Sequence, residues 1–217
     1  MIAKHKYHGQ AALCMPVHHH EHGGRSSAEL VDIPKTISLL ARPGQSLLDI
    51  GCGPGDYLTE AKKQGIAAIG LDIHGPSLAA ARGRGCEVIE ADATEKVPLP
   101  TASQETILLA NVLHGFVANG QAQQAFREIR RVLKTNGTLG IVEFYKTDEP
   151  GPPRSVRLTV AGVKLLAGRN GFTPGTTTRV GAHNYLVLLQ KNARPTLRAA
   201  SKRKSPPRRS SRRPANQ

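Results

Sequence analysis

An apolar run, Leu47-Leu48-Asp49-Ile50, passes without a spacer into Gly51-Cys52-Gly53-Pro54-Gly55, so a strand carrying one acid ends in three glycines spaced two apart. Residues without a Cβ let the chain turn sharply and let a ligand approach the backbone to contact distance. A strand that ends in such a bend and leads into a helix opens an α/β domain, and it lets a small adenosine-containing ligand lie against the loop.

Which ligand follows from the spacing. In the dinucleotide pattern G-x-G-x-x-G the third glycine would fall at position 56, where a helix start receives a pyrophosphate. Position 56 is Asp56. A carboxylate there opposes a pyrophosphate but tolerates a sulfonium with a protonated amine, so the loop favours S-adenosylmethionine over NAD. No Gly-Lys-Ser/Thr follows the glycines, which excludes a Walker phosphate loop.

Hydrophobic periodicity orders the rest of the chain. Ser26 or Ser27 caps an expected helix with apolar Leu30, Ile33, Ile37 and Leu40, kinked at Pro34 and ended by Arg42-Pro43-Gly44. Strands are expected over 46–50, 66–71, 87–91, 106–110 and 138–144, with helices over 57–64, 76–82 and 121–134. Asn136-Gly137 reads as the stop of the last of these helices. A further helix falls within 159–169, and strands around 176–180 and 184–190 close the domain. Alternating strands and helices imply a mostly parallel sheet covered on both faces. The last two strands are joined by about three residues around Gly181, room for a hairpin but not for a parallel crossover.

Polar residues end four successive strands: Asp49, Asp72, Asp92 and Asn111, at intervals of 23, 20 and 19 residues. Each interval is about one strand, one helix and their loops, and the carboxyl ends of parallel strands share one edge. Four residues far apart in sequence thereby meet at one crevice. Asp72, ending the second strand, is suited to accept hydrogen bonds from both ribose hydroxyls of a nucleoside.

The motif L-D-I-G-C-G-P-G resembles that of the class I S-adenosylmethionine-dependent methyltransferases, and among them the compact ubiquinone/menaquinone-type (type 11) group. The likeness runs from about Ser46 to Tyr145 and less distinctly to Gln190, while 18–26, 110–116 and 143–158 resemble parts of small uncharacterised prokaryotic methyltransferases. It implies a Rossmann-like fold: seven strands, mostly parallel, one antiparallel strand in the edge region, and helices on both faces. It also implies S-adenosyl-L-methionine as cofactor, held by Asp49, Gly51, Cys52, Gly53, Gly55, Asp72, Ile73, Asp92, Ala93, Asn111 and Val112. In that scheme Asp92 and Ala93 meet the adenine, Asp49 orients the loop and the methionine amine, and Asn111 and Val112 pass the methionine part. Cys52 belongs to loop packing rather than catalysis.

Methyl transfer from a sulfonium is an in-line displacement in which alignment supplies much of the catalysis. A proton-bearing acceptor also needs a base. His114, three residues past Asn111, is the candidate by location, with Glu143 and His183 as possible neighbours in the same cavity. In the N-terminal array, Cys14, His18, His19, His20 and His22 offer metal-ligating side chains. Adjacent histidines do not preform a tetrahedron, so no metal is expected. His22 and Arg25 are instead candidates to touch the acceptor if the arm covers its pocket.

The formal net charge is +14, yet residues 194–217 hold nine Lys/Arg and no acid, and removing those nine leaves +5. With four prolines and repeated serines, this stretch buries too little apolar surface to offset its ordering entropy, and it is expected to be a disordered tail able to touch polyanions nonspecifically. The expected organisation is a His-rich arm over 1–24, a methyltransferase domain over 25–191 and the tail over 192–217. Three scattered cysteines suggest a reducing compartment, and no run approaches the apolar length of a membrane span, so the cytoplasm is the expected location. Asn111 is followed by Val112-Leu113 rather than Pro-Pro-aromatic, the motif of amino-methylating nucleic-acid enzymes. A small-molecule acceptor is therefore favoured over a nucleic acid tethered by the tail, with a non-catalytic S-adenosylmethionine-binding protein as the third reading.

Overall fold

The computed structural model describes residues 27–147 and 151–192. Seven strands form one sheet: β1 (Ser46–Ile50), β2 (Ala67–Asp72), β3 (Glu87–Glu90), β4 (Gln104–Ala110), β5 (Leu133–Phe144), β6 (Phe172–Arg179) and β7 (Asn184–Lys191). Their spatial order is β3-β2-β1-β4-β5-β7-β6. The first five are mutually parallel, and β7 runs antiparallel to both β5 and β6. This is the expected Rossmann-like architecture, with the reversed strand inserted one place in from the edge. The direction of the strand walk changes between β1 and β4, and the crevice at their carboxyl ends is the natural ligand position.

Seven helices complete the described residues: α1 (Ser27–Leu30), α2 (Ile33–Leu40), α3 (Asp56–Lys63), α4 (Gly75–Gly83), α5 (Leu113–Ala118), α6 (Ala122–Val132) and α7 (Val160–Arg169). Strand alternation sends β1 and β4 side chains into two core layers. Leu48, Ile50, Ile107 and Leu109 pack with Phe126, Ile129 and Val163 of α6 and α7. Leu47 and Leu108 pack on the other face with Ile37, Leu40 and Tyr57 of α2 and α3. Burial on both faces explains why these strands read as continuous apolar runs. None of the described helices is long and apolar enough to cross a membrane.

Local chemistry moved several boundaries. The first helix is two helices rather than one kinked one, because the Asp32 carboxylate accepts the Lys35 amide at 3.1 Å and Pro34 sits in the first turn of α2. Helix α6 ends at Val132, and Asn136-Gly137 lies within β5 instead of stopping the helix. There Asn136 has φ +63°, and the register jumps from Gln104↔Leu133 to Thr106↔Thr138. A Cβ on Gly137 would stand 2.9 Å from the Glu105 carbonyl oxygen, so only glycine fits this bulge. Strand β6 starts at Phe172, ahead of the expected 176, and takes in Pro174, tolerated because β6 is an edge strand. Short α5, with Gly115 inside it, has too little periodicity to announce itself.

Gly70 of β2 shows how tightly the sheet meets α3. An added Cβ there would lie 2.5 Å from Cys52 Sγ and 2.6 Å from Leu58 Cδ1. Gly70→Ala is expected to destabilise the fold by roughly 1–3 kcal/mol through overpacking, read as a lower urea midpoint at unchanged m-value. An unshifted midpoint would mean that the α3 layer yields freely.

Candidate functional site

The three glycines of the bend have different tasks. All have positive φ, +73° at Gly51, +52° at Gly53 and +85° at Gly55, a region that L side chains rarely adopt. A Cβ on Gly51 would meet Val112 Cγ2 at 2.4 Å, which presses the bend against the segment after β4. A Cβ on Gly55 would meet Cys86 Sγ at 3.0 Å and Ala81 at 3.2 Å, so this glycine serves helix packing. At Gly53 an added Cβ has nothing within 4 Å among the described residues. Of the three, Gly53 turns its bare face toward open space at the strand ends.

Cys52 is buried with Leu58 and Leu78. Burial, followed by the nearby charges of Asp49 and Asp72, pushes its thiol well above the ordinary range, so it stays protonated and packs the loop. Asp56, at the mouth of α3, is ion-paired to Arg84 at 2.5 Å. That pair lessens the repulsion toward a phosphate on which part of the case against a dinucleotide rested; the missing third glycine is unaffected.

Asp49 is 1% exposed, and neither carboxylate oxygen has a hydrogen-bond partner among the described residues. Burial, then Asp72, then Asp56 raise its pKa to about 8. The buried Tyr57 hydroxyl also lacks a partner among the described residues. Such a carboxylate calls for a cation or a cluster of donors.

Asp72 closes the bend. Its Oδ2 accepts the Gly53 amide at 2.8 Å and its Oδ1 accepts the His74 amide at 2.9 Å. Each carboxylate oxygen retains acceptor capacity beyond one such bond. Next to it, Ile73 is 45% exposed, an apolar surface beside the loop. Asp92 Oδ1 accepts both the amide and the hydroxyl of Thr94, each at 2.7 Å, which fixes a turn after β3. Ala93 is buried in the core layer with Ile50 and Leu71, so only its backbone can face a ligand.

Beyond β4 the chain turns through Asn111 at φ +58°. Its side-chain oxygen accepts Asn184 Nδ2 at 3.2 Å, whereas Asn111 Nδ2 and Asn184 Oδ1 have no partner among the described residues. Glu143, fully buried near the end of β5, accepts the His114 backbone amide at 2.9 Å through Oε1 and stands 2.9 Å from His114 Nδ1 through Oε2. Two candidates separated by 29 residues thus form one buried pair. His183 engages the same region through its backbone, its carbonyl oxygen accepting the Tyr145 amide at 2.8 Å.

Sequence reasoning missed Asn184, because an asparagine opening a hairpin strand reads as a turn residue. It also missed Arg157, which is buried, donates to the carbonyls of Pro152, Tyr145 and Thr147, and lies over the Phe144 ring. Only a folded post-β5 loop reveals that role. Cys14, His18, His19, His20, His22, Arg25 and the basic stretch 194–217 lie outside the described residues. Among the described residues no group of three or more His, Cys, Asp or Glu is placed to hold a metal ion.

Residues 48–141 match the family model described as "Methyltransferase domain", of type 11. Over 100 residues the chain is 35% identical to a mouse protein named probable tRNA methyltransferase 9B, covering 46% of this chain and 22% of that one. It is 31% identical over 103 residues to demethylmenaquinone methyltransferase of Corynebacterium kroppenstedtii, covering 48% and 43%. The chain therefore spans between about a fifth and a half of the length of these curated relatives. Among solved structures, a SAM-dependent methyltransferase from Aquifex aeolicus superposes with a TM-score of 0.68 at 24% identity, covering 75% of this chain and 90% of that one. Residues 48–141 thus match a methyltransferase domain, and the sheet order, with its glycine bend beside two strand-end acids, is that of the class I S-adenosylmethionine-dependent methyltransferase fold.

Proposed function

We propose that this protein transfers a methyl group from S-adenosyl-L-methionine to a small-molecule acceptor, and that Asp49 is the observation that carries the donor's place. A buried carboxyl group with no partner among the described residues, beside a bend where Gly53 has none of the described residues against its bare face, fits a ligand bearing a sulfonium and an α-ammonium. In this reading Asp49 orients the methionine amine, Asp72 accepts from the ribose hydroxyls, and Ile73 lies against the adenine. Asp92 and the Ala93 backbone meet the ring edge. Gly51, Cys52, Gly53 and Gly55 shape the bend, while Asn111 and Val112 flank the methionine part. When bound, the donor supplies an electrophilic methyl group with a thioether leaving group.

A second reading, RNA methylation, draws on the relatives named probable tRNA methyltransferase 9B and on the nine Lys/Arg of 194–217. Deleting 194–217 separates the two: a small-acceptor enzyme keeps its methylation when polyanion binding is lost.

Asp49 makes the donor reading testable by proton linkage. Its folded pKa, about 8, is above the ordinary value of 3.8, so its contribution to ligand-free stability is fully present below that ordinary value and is lost as pH rises through about 8. A cationic ligand needs the ionised form. Binding of S-adenosylhomocysteine should thus release up to about one proton near neutral pH and tighten between about pH 6 and pH 8. Calorimetry in buffers of differing ionisation enthalpy reads this release. Asp49→Asn should abolish it and remove the loss of ligand-free stability between 3.8 and about 8 on the pH scale; proton release unchanged in the variant would place the cation elsewhere.

Asp72→Ala should weaken S-adenosylhomocysteine binding by about 1.5–3 kcal/mol, the scale of hydrogen bonds to a charged group. Unaltered affinity in a folded variant would refute its ribose role.

A further inference from the structure

The His114–Glu143 pair is an expensive arrangement for a structural contact. Glu143 is fully buried and His114 is 4% exposed. Capping the first turn of α5 needs only one neutral acceptor, which a glutamine would supply without a buried charge. Glu143 instead uses one oxygen for the His114 backbone amide and the other for the ring. An ionised Glu143 can only accept, which puts the ring proton on Nδ1 and the lone pair at Nε2. The same carboxylate, 2.9 Å from Nδ1, also stabilises the imidazolium formed when Nε2 takes up a proton.

The pair stands beside the donor loop. Val112, two residues before His114, is the residue that a Cβ on Gly51 would strike at 2.4 Å. Next to it are two side-chain amides, Asn184 at the start of β7 and Asn111 just past β4. Asn111 Nδ2, a donor, and Asn184 Oδ1, an acceptor, lack partners among the described residues, and Asn184 is fully buried. A base, a donor and an acceptor share the strand-end edge past the glycine bend.

We infer that His114, oriented by Glu143, is the general base of methyl transfer, and that the acceptor is a small molecule whose reacting oxygen or nitrogen carries a proton, held at a neighbouring polar group by Asn111 and Asn184. This rests on the donor reading above. In the step, the acceptor's X–H proton goes to His114 Nε2, the X lone pair forms the bond to the methyl carbon, and the C–S bond breaks with its electron pair returning to sulfur as a neutral thioether. The imidazolium then returns its proton to solvent. An acceptor with no proton to lose, such as a thioether, has no use for this base.

The test uses the full-length protein, methyl-labelled S-adenosylmethionine, and two probes: 2-aminophenol, with adjacent O–H and N–H groups, and dimethyl selenide, with neither. Label should enter 2-aminophenol, and Glu143→Gln should cut kcat about 100-fold or more, the scale of general-base catalysis, with KM and S-adenosylhomocysteine affinity unchanged. The glutamine amide would donate to Nδ1 and move the ring proton to Nε2. Imidazole ¹⁵N shifts should accordingly report an Nδ1–H tautomer in the wild type and an Nε2–H tautomer in the variant, a change that a capping role alone would not couple to kcat. Should Glu143→Gln not fold, His114→Ala with added imidazole replaces it, and recovery of the rate is expected. The inference is overturned by label entering only dimethyl selenide or neither probe while S-adenosylhomocysteine still binds. Full activity in the variants, no imidazole rescue, or an Nε2–H wild-type ring would overturn it equally. Folded protein that fails to bind S-adenosylhomocysteine would instead remove the donor reading on which it stands.

Discussion

The clasp of Asp72 on the Gly53 amide holds the site together. Hydrogen bonds to an ionised carboxylate are stronger than neutral ones, and this one ties the free end of β2 to the bend that follows β1. Beneath it, the amides of Gly51 and Cys52 both donate to the Leu71 carbonyl, extending the β1–β2 ladder into the loop. The stretch from Gly51 to Gly55, with positive φ at each of its three glycines, would otherwise be costly and loosely defined. Tied at two points, it presents its backbone in one shape.

Around this anchor the sheet order concentrates chemistry at one edge. Strand β1 has β2 on one side and β4 on the other, so Asp49, Asp72 and the Asn111 turn are near neighbours although the chain makes two helical crossovers between them. The β5 end brings Glu143 and the β7 start brings Asn184. In the proposed reading the donor half rests on β1, β2 and β3, and the acceptor half on β4, β5 and β7. Gly51 against Val112 is one contact where the two halves meet, above the paired β1 and β4.

Strand-end acids at regular intervals were legible in the sequence because the strand-to-strand connections have similar lengths, although the one from β3 to β4 is loop and not the expected helix. The glycine bend was legible because positive φ restricts residue choice so strongly. Helix boundaries at Asp32 and Val132 were not, since each is decided by a contact outside the helix: an N-cap next to a proline, and a bulge in which Gly137 must clear the Glu105 carbonyl. His114 and Glu143 could each be picked out alone, as polar residues near strand ends. Their pairing depends on β4 and β5 lying side by side with Ala110 opposite Val142, which no local pattern encodes. Asn184 was hidden for the same reason.

The two outermost strands suggest how the sheet avoids lengthening itself. On one side β3 is only four residues long and has glutamates at both ends, Glu87 and Glu90. On the other, β6 is mostly exposed, with a proline at 174 that offers no amide and a register break between 174 and 177. A second chain laid along either rim would meet like charge or a missing donor within a few residues, so growth into a continuous ribbon of copies is discouraged at both margins.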